Sequence, residues 1–158
     1  MSETKQTSRQ ATPPDIPQIV GLINRAFAVE RFFKSGDRID VEQVRLMMEQ
    51  GTFLLLEDEN QLLACVFVKV TDDRGYIGTL SVDPERQRSG LGRRLMHEAE
   101  EYCRSACCKA VDIRIVNLRT ELPAIYHKFG FVETGTQSAE VIRNTTQPVH
   151  FITMSKPL

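Results

Sequence analysis

Gln87-Arg88-Ser89-Gly90-Leu91-Gly92 is the segment best equipped to hold an anion. It follows Gly78-Thr79-Leu80-Ser81-Val82, where Leu80 and Val82 alternate with Thr79 and Ser81 as in a strand. Asp83-Pro84 ends that strand, because proline cannot donate to a ladder. A helix opening at Gly90 presents backbone N–H groups without intrahelical partners, and its macrodipole adds partial positive charge there. Gly90 and Gly92 carry no side chain to block an approaching group. Arg88, Arg93 and Arg94 add formal positive charge. Strand, turn and glycine-bearing helix start together make a seat for a phosphate or pyrophosphate.

Two common phosphate motifs do not fit. A dinucleotide fingerprint needs a third glycine, and the residues around His97 supply none. A P-loop needs Gly-Lys-Ser/Thr, and Gly92 is followed by Arg93-Arg94. What remains is Gln-x-x-Gly-x-Gly after a strand ending Val82-Asp83-Pro84. A second segment, Ala124-Ile125-Tyr126-His127-Lys128-Phe129-Gly130-Phe131, follows downstream. The first motif resembles the coenzyme A signature of the GNAT N-acetyltransferases, and the second resembles their Tyr-x-Lys-x-Gly-Phe segment. Ala11-Thr12-Pro13-Pro14-Asp15 is also similar to the opening of many members. The resemblance covers essentially the whole chain.

The resemblance implies a sheet that splays between Tyr76–Val82 and Ala110–Val116, with acetyl-coenzyme A as acyl donor in the opening. Its pantetheine arm would pair with the backbone of Leu80, Ser81 and Val82. Its pyrophosphate would sit on the N–H groups from Arg88 to Arg93, which brings in Gln87, Ser89, Gly90, Leu91 and Gly92 as well. Asn117 is similar to an asparagine that contacts the pantetheine, although it lies further from the tyrosine than in most members. Tyr126 would be the general acid. A phenol with a pKa near 10 stays protonated at neutral pH and can protonate a departing thiolate. No metal is implied.

The general base is the departure. Many members carry a glutamate where this chain has Gly78, which cannot accept a proton. A water chain or a residue from elsewhere must serve. Glu121 and Asp37 are candidates, against the simpler reading of solvated surface charges. His97 falls on the cofactor helix away from the site, and His127 should point away from Tyr126. His150, in a predicted strand, is the one histidine that could face the substrate.

The elements that must position these groups follow from periodicity. Lys5 to Thr12 reads as a short strand, stopped by Pro13-Pro14. Asp15 reads as an N-cap with Gln18 in capping-box relation, and Ile16, Ile19, Val20, Ile23 and Phe27 follow at helical spacing. A second helix starts at Asp40, with Gln43 in the same relation, and stops at Gly51. Between them, Glu30–Asp37 carries Phe32-Phe33 among charges. That loop suits a cover over substrate or a plug between helices equally. Strands are predicted over Thr52–Glu57, Gln61–Val70 and Tyr76–Val82, a meander. A helix runs from Gly90 to about Ala106, a strand over Ala110–Val116, and a short helix over Leu122–Phe129. Phe131–Gly135 and Pro148–Met154 close the chain as strands. The fold class is α/β (α+β): a GNAT-like mixed, mostly antiparallel sheet of six to seven strands with about four helices, in the order β-α-α-β-β-β-α-β-α-β-β.

At 158 residues the chain reads as one domain over 1–158, with 41% hydrophobic and 26% charged residues, ordinary for a soluble globular protein. A net charge of −1 argues against a dedicated nucleic-acid binder. No apolar run approaches a membrane span, and Met1–Thr12 lacks the apolar stretch of a signal peptide, so the expected location is cytoplasmic. Cys65, Cys103, Cys107 and Cys108 read as free thiols; Cys103 and Cys107 share a helix face, which is the weaker case for a metal or redox pair. The leading function is acetyl transfer from acetyl-coenzyme A to a small-molecule or peptide amine. The alternative is a non-catalytic acetyl-coenzyme A sensor of the same fold. The family also raises the expectation of a homodimer. The acceptor is set by Glu30–Asp37 and Thr136–Gln147, which carry no legible signature.

Overall fold

The structure, a computed structural model, describes residues 6–87 and 89–158. The strands are β1 (Gln6–Gln10), β2 (Thr52–Asp58), β3 (Gln61–Thr71), β4 (Arg74–Val82), β5 (Ala110–Val116), β6 (Val132–Ser138) and β7 (His150–Pro157). The helices are α1 (Ile16–Ala26), α2 (Val41–Gln50), α3 (Leu91–Ser105) and α4 (Leu122–Lys128). Among the described residues the seven strands form one sheet in the order β1-β2-β3-β4-β5-β7-β6. All pairings are antiparallel except β4 with β5, which is parallel. The predicted element order, mixed sheet and four helices are all present. Lys5, the start of the predicted first strand, lies outside the described residues.

The central strands read as continuous apolar runs because both sheet faces are covered. In β2, Phe53 and Leu55 pack on the face carrying α1 and α2, with Ile19, Leu22, Ile23 and Val44. Leu54 and Leu56 pack on the other face with Leu91, Leu95, Met96 and Phe131. Alternation of side chains along the strand sends neighbours to opposite layers. Burying each such side chain stabilises the fold by roughly 1.5–3 kcal/mol.

The β4–β5 pairing covers only Arg74–Tyr76 against Ala110–Asp112. Beyond it the two strands part. The β3–β4 register also shifts between Cys65 and Phe67, at a bulge where Thr79 takes φ 47°. A bulge inserts an unpaired residue and bends its strand. It lies where β4 leaves β5.

Three local expectations change in the structure. Asp15 does not cap α1 with its side chain. Pro13–Asp15 forms a 3-10 turn capped by Thr12, and the Asp15 carboxylate accepts from the Thr12 N–H at 2.8 Å and from Arg9 at 2.7 and 2.8 Å. Two prolines start the tighter turn one step earlier than the capping pattern suggests. Phe32 and Phe33 separate: Phe33 is fully buried with Val116, Ala139, Ile142 and Phe151, while Phe32 is 57% exposed. Phe33 is therefore not a plug between α1 and α2; it anchors the loop to β5, β7 and the β6–β7 connection. Cys103 and Cys107 do not share a face, because Cys107 lies beyond α3 with φ 64° and is exposed. All four cysteines are free. Asp40 behaves as expected, accepting from the Gln43 N–H at 2.8 Å while Gln43 accepts from the Asp40 N–H at 2.9 Å.

Candidate active site

The parting of β4 and β5 leads into a cavity of about 640 Å³. Its volume falls within the range of small-molecule sites. Leu80 of β4, Ile115 of β5 and Tyr126 of α4 line it from the α3 face. Tyr76, Arg114 and Glu30 line it as well. Splaying is what lets groups from both sheet faces reach one space.

The helix start fits a phosphate. Gly90 caps α3 with φ 82°, a left-handed conformation that favours glycine. The first intrahelical bond at this end runs from the Arg94 N–H to the Gly90 carbonyl at 3.0 Å. The N–H groups of Leu91, Gly92 and Arg93 therefore precede the helical ladder. A Cβ on Gly92 would meet Val82 at 3.6 Å and Leu80 at 3.8 Å, ordinary contacts. The packing of this chain does not itself require glycine there. Arg93 stacks over Phe129, 5.7 Å from the ring centre, and is exposed. Arg94 is committed to Gln6 and Glu98. Ser89 donates its hydroxyl to the Arg86 carbonyl. Gln87 is exposed. Arg88 lies outside the described residues.

Ser81 and Val82 pair with Cys65 and Ala64 of β3 on one edge, and no β5 residue pairs with them on the other. Leu80 packs partly into the α3 layer. Asn117 follows β5. Its side-chain carbonyl accepts from the His150 N–H at 2.9 Å, and its own N–H donates to the His150 carbonyl at 2.9 Å.

The Tyr126 ring is held edge-on by Phe129 and Phe131, at centroid distances of 6.0 and 5.9 Å. Burial pushes its phenol up to about 12, opposed by nearby Arg119 and reinforced by Tyr76. The hydroxyl is thus protonated throughout the physiological range.

Gly78 lies beneath Tyr76. A Cβ at that position would come within 2.9 Å of the Tyr76 hydroxyl and 2.8 Å of the ring. The tyrosine therefore fills the space next to the strand that a longer residue at position 78 would need. Glu121 is exposed and accepts from Arg119 at 2.6 Å. Asp37 is exposed and 3.9 Å from Arg31. Neither lines the cavity. His97 and His127 are exposed, and neither lines the cavity. His150 is not among the cavity residues; Phe151 and Thr153, which are, alternate with it along β7.

Sequence reasoning placed Glu30 in the loop expected to set the acceptor but not as a buried ion-pair partner, and it missed Arg38 as a cavity residue. Glu30 is 3% exposed and sits between Arg38 at 3.3 Å and Arg119 at 3.1 Å. Burial pushes its carboxyl up, against the pull of Arg38, Arg119 and Lys34. The only sequence signal was the density of charge beside two phenylalanines. The loop that carries Glu30 is tied to the β6–β7 connection: Ser35 N–H donates to the Asn144 carbonyl at 3.0 Å and Thr146 N–H to the Phe33 carbonyl at 2.8 Å. Among the described residues, no group of three or more His, Cys, Asp or Glu could hold a metal ion, and no helix is long and apolar enough to cross a membrane.

Residues 17–131 match the sequence profile described as Acetyltransferase (GNAT) family. No curated protein sequence matches the chain. Among solved structures, the ribosomal-protein-S18-alanine N-acetyltransferase from Escherichia coli superposes with a TM-score of 0.80 at 18% identity, over 97% of this chain and 94% of that one. The ribosomal-protein-alanine N-acetyltransferase from Brucella melitensis gives 0.76 at 20% identity, over 96% and 99%. PaiA N-acetyltransferase from Thermoplasma acidophilum, in complex with coenzyme A, gives 0.75 at 14% identity, over 98% and 99%. At these identities the likeness is one of fold.

Proposed function

The chain belongs to the acetyltransferase (GNAT) family, and from that premise we propose that it moves an acetyl group from acetyl-coenzyme A to a primary amine. In this reading residues 1–158 form one acetyltransferase domain. The observation that carries the proposal is the splay of β4 from β5, which sets the free edge of β4 and Tyr126 around one cavity, beside the glycine-bearing start of α3. The donor supplies an activated thioester. A structural neighbour with coenzyme A bound supports the same donor here.

The residues divide the work. The backbone of Leu80, Ser81 and Val82 holds the pantetheine arm along the unpaired edge of β4. The N–H groups of Leu91, Gly92 and Arg93, with the turn from Gln87 to Gly90, hold the pyrophosphate. The Asn117 side-chain NH2 adds a donor near the end of β5. Tyr126 gives its proton to the sulfur as the carbon–sulfur bond breaks and the carbon–nitrogen bond forms. Its raised pKa keeps that proton available. Gly78 offers no base, and Tyr76 occupies the space beside it. The ammonium proton of the acceptor therefore leaves through water, without one dominant carboxylate.

Coupled thiol release and mass spectrometry across a panel of small amines and peptides test this reading. Stoichiometric thiol and acetylated amine are expected. Tight acetyl-coenzyme A binding with no release from any amine would instead support the non-catalytic sensor, which the absence of a carboxylate at Gly78 favours.

A further inference from the structure

The cavity carries an excess of positive charge. Arg38, Lys69, Arg114 and Arg119 line it beside a single carboxylate, Glu30. The whole chain carries a net charge of −1, so this excess is local. Glu30 holds Arg38 and Arg119, and Lys69 donates to Gln50 at 3.3 Å. Arg114 is held differently. Its guanidinium lies 4.4 Å from the Phe151 ring centre and 5.5 Å from that of Tyr76. Among the described residues no acidic side chain and no hydrogen-bond acceptor engages it. Aromatic faces position a guanidinium without using its N–H donors, so the fork stays open to a ligand.

The face of the sheet tells which ligand this serves. Ile113 and Ile115, on either side of Arg114, pack in the layer with α3. Alternation puts Arg114 on the opposite face, with Tyr76 and the α1–α2 layer. The start of α3, where the donor's pyrophosphate would sit, belongs to the other layer.

We propose that the acceptor is a small amine bearing its own oxyanion, a carboxylate or phosphoryl-type group, gripped by Arg114 with Arg119 and Arg38 beside it. The inference rests on the acetyl-transfer reading above and names its substrate class. A cationic polyamine or lysine-rich peptide would meet like charge on this wall. The cavity of about 640 Å³ must also admit the acyl end of the donor, which keeps the recognised part small.

Calorimetry on the coenzyme A-loaded protein, with kcat/KM for acetylation, tests the proposal. Amino acids are compared with their carboxamides, and aminoalkylphosphonates with matched amino alcohols. The acids are expected to exceed their neutral partners by about tenfold or more, the scale of a charge-assisted bidentate pair. The two series show which oxyanion is preferred. Arg114→Gln, at an exposed position, should bring the ratio toward one, chiefly through KM, and Arg114→Lys should restore part of it. Equal affinity for acid and carboxamide would overturn the inference. So would an Arg114→Gln variant that loses coenzyme A affinity as strongly as acid affinity, because the arginine would then serve the donor. If no amine is acetylated, the transfer reading fails, and the acid-to-carboxamide binding ratio still decides this one.

Discussion

Tyr126 carries the sharpest expectation at the scale of single residues. Its ring is fixed by Phe129 and Phe131, and its phenol is pushed up to about 12 by burial. Tyr126→Phe keeps the ring and removes the proton. The kcat should fall by roughly 10²-fold or more, the usual contribution of a general acid, with donor affinity little changed. Because the phenol stays protonated until near pH 12, the wild-type rate should climb with deprotonation of the acceptor amine, with no descending limb from Tyr126 below about pH 10. Wild-type turnover in the phenylalanine variant, measured by thiol release, rules the role out. Glu30 teaches the opposite lesson. It is a buried carboxylate in the cavity, yet its partners Arg38 and Arg119 make it an anchor for cations.

At the scale of elements, the attachment of β1 to the start of α1 is an ionic clasp. Arg9 forms a two-point pair with Asp15 and also reaches Glu57. The Arg9 hydrogen bonds lower the Asp15 pKa from 3.8 to about 2. A depressed carboxylate stabilises the fold above its unfolded pKa. That stability is fully present above about pH 5 and is lost as pH falls from about 4 toward 2. Arg9 is 42% exposed, so solvent screening discounts the shift to about 1 kcal/mol. Urea unfolding of Asp15→Asn should show that loss at pH 7 and almost none near pH 2. A constant difference across the range would mean that the pair's charge contributes nothing.

Binding of the proposed donor would stabilise the whole molecule. A donor that binds the folded state alone stabilises it by about 2.7 kcal/mol at one hundred times its Kd. Acetyl-coenzyme A should therefore raise the thermal midpoint of the wild type. Gly90→Glu places a side chain and a negative charge at the positive end of α3. It also costs about 1 kcal/mol of backbone strain at φ 82°. The variant should fold with a slightly lower midpoint and show no shift with the ligand. An undiminished shift in the folded variant would remove the phosphate seat from this helix start.

Local spacing alone determined most elements. Asp40 and Gln43 stand three residues apart, and a capping box needs nothing else. Ala110–Val116 alternates, and its strand has those bounds. Gly90 and Gly92 follow a strand that ends at proline, and the helix starts there. Such patterns are legible because their partners lie within one turn or one pleat. Tertiary structure decided what depends on distant segments meeting. Asp15 turned to Arg9 rather than to α1, and Phe33 found a core made by Val116, Ile142 and Phe151. The Asn117 side-chain carbonyl was taken by the His150 N–H when β5 paired with β7. Tyr76 could fold over position 78 because that residue is glycine and shares its strand face. Arg38, Arg114 and Arg119 belong to a loop, a strand and the turn after it, and no spacing rule links them. They line one cavity where β4 and β5, paired for only three residues, part, and Glu30 links Arg38 to Arg119. Periodicity fixes which way a side chain leaves its own element, and sheet order and register fix what it meets.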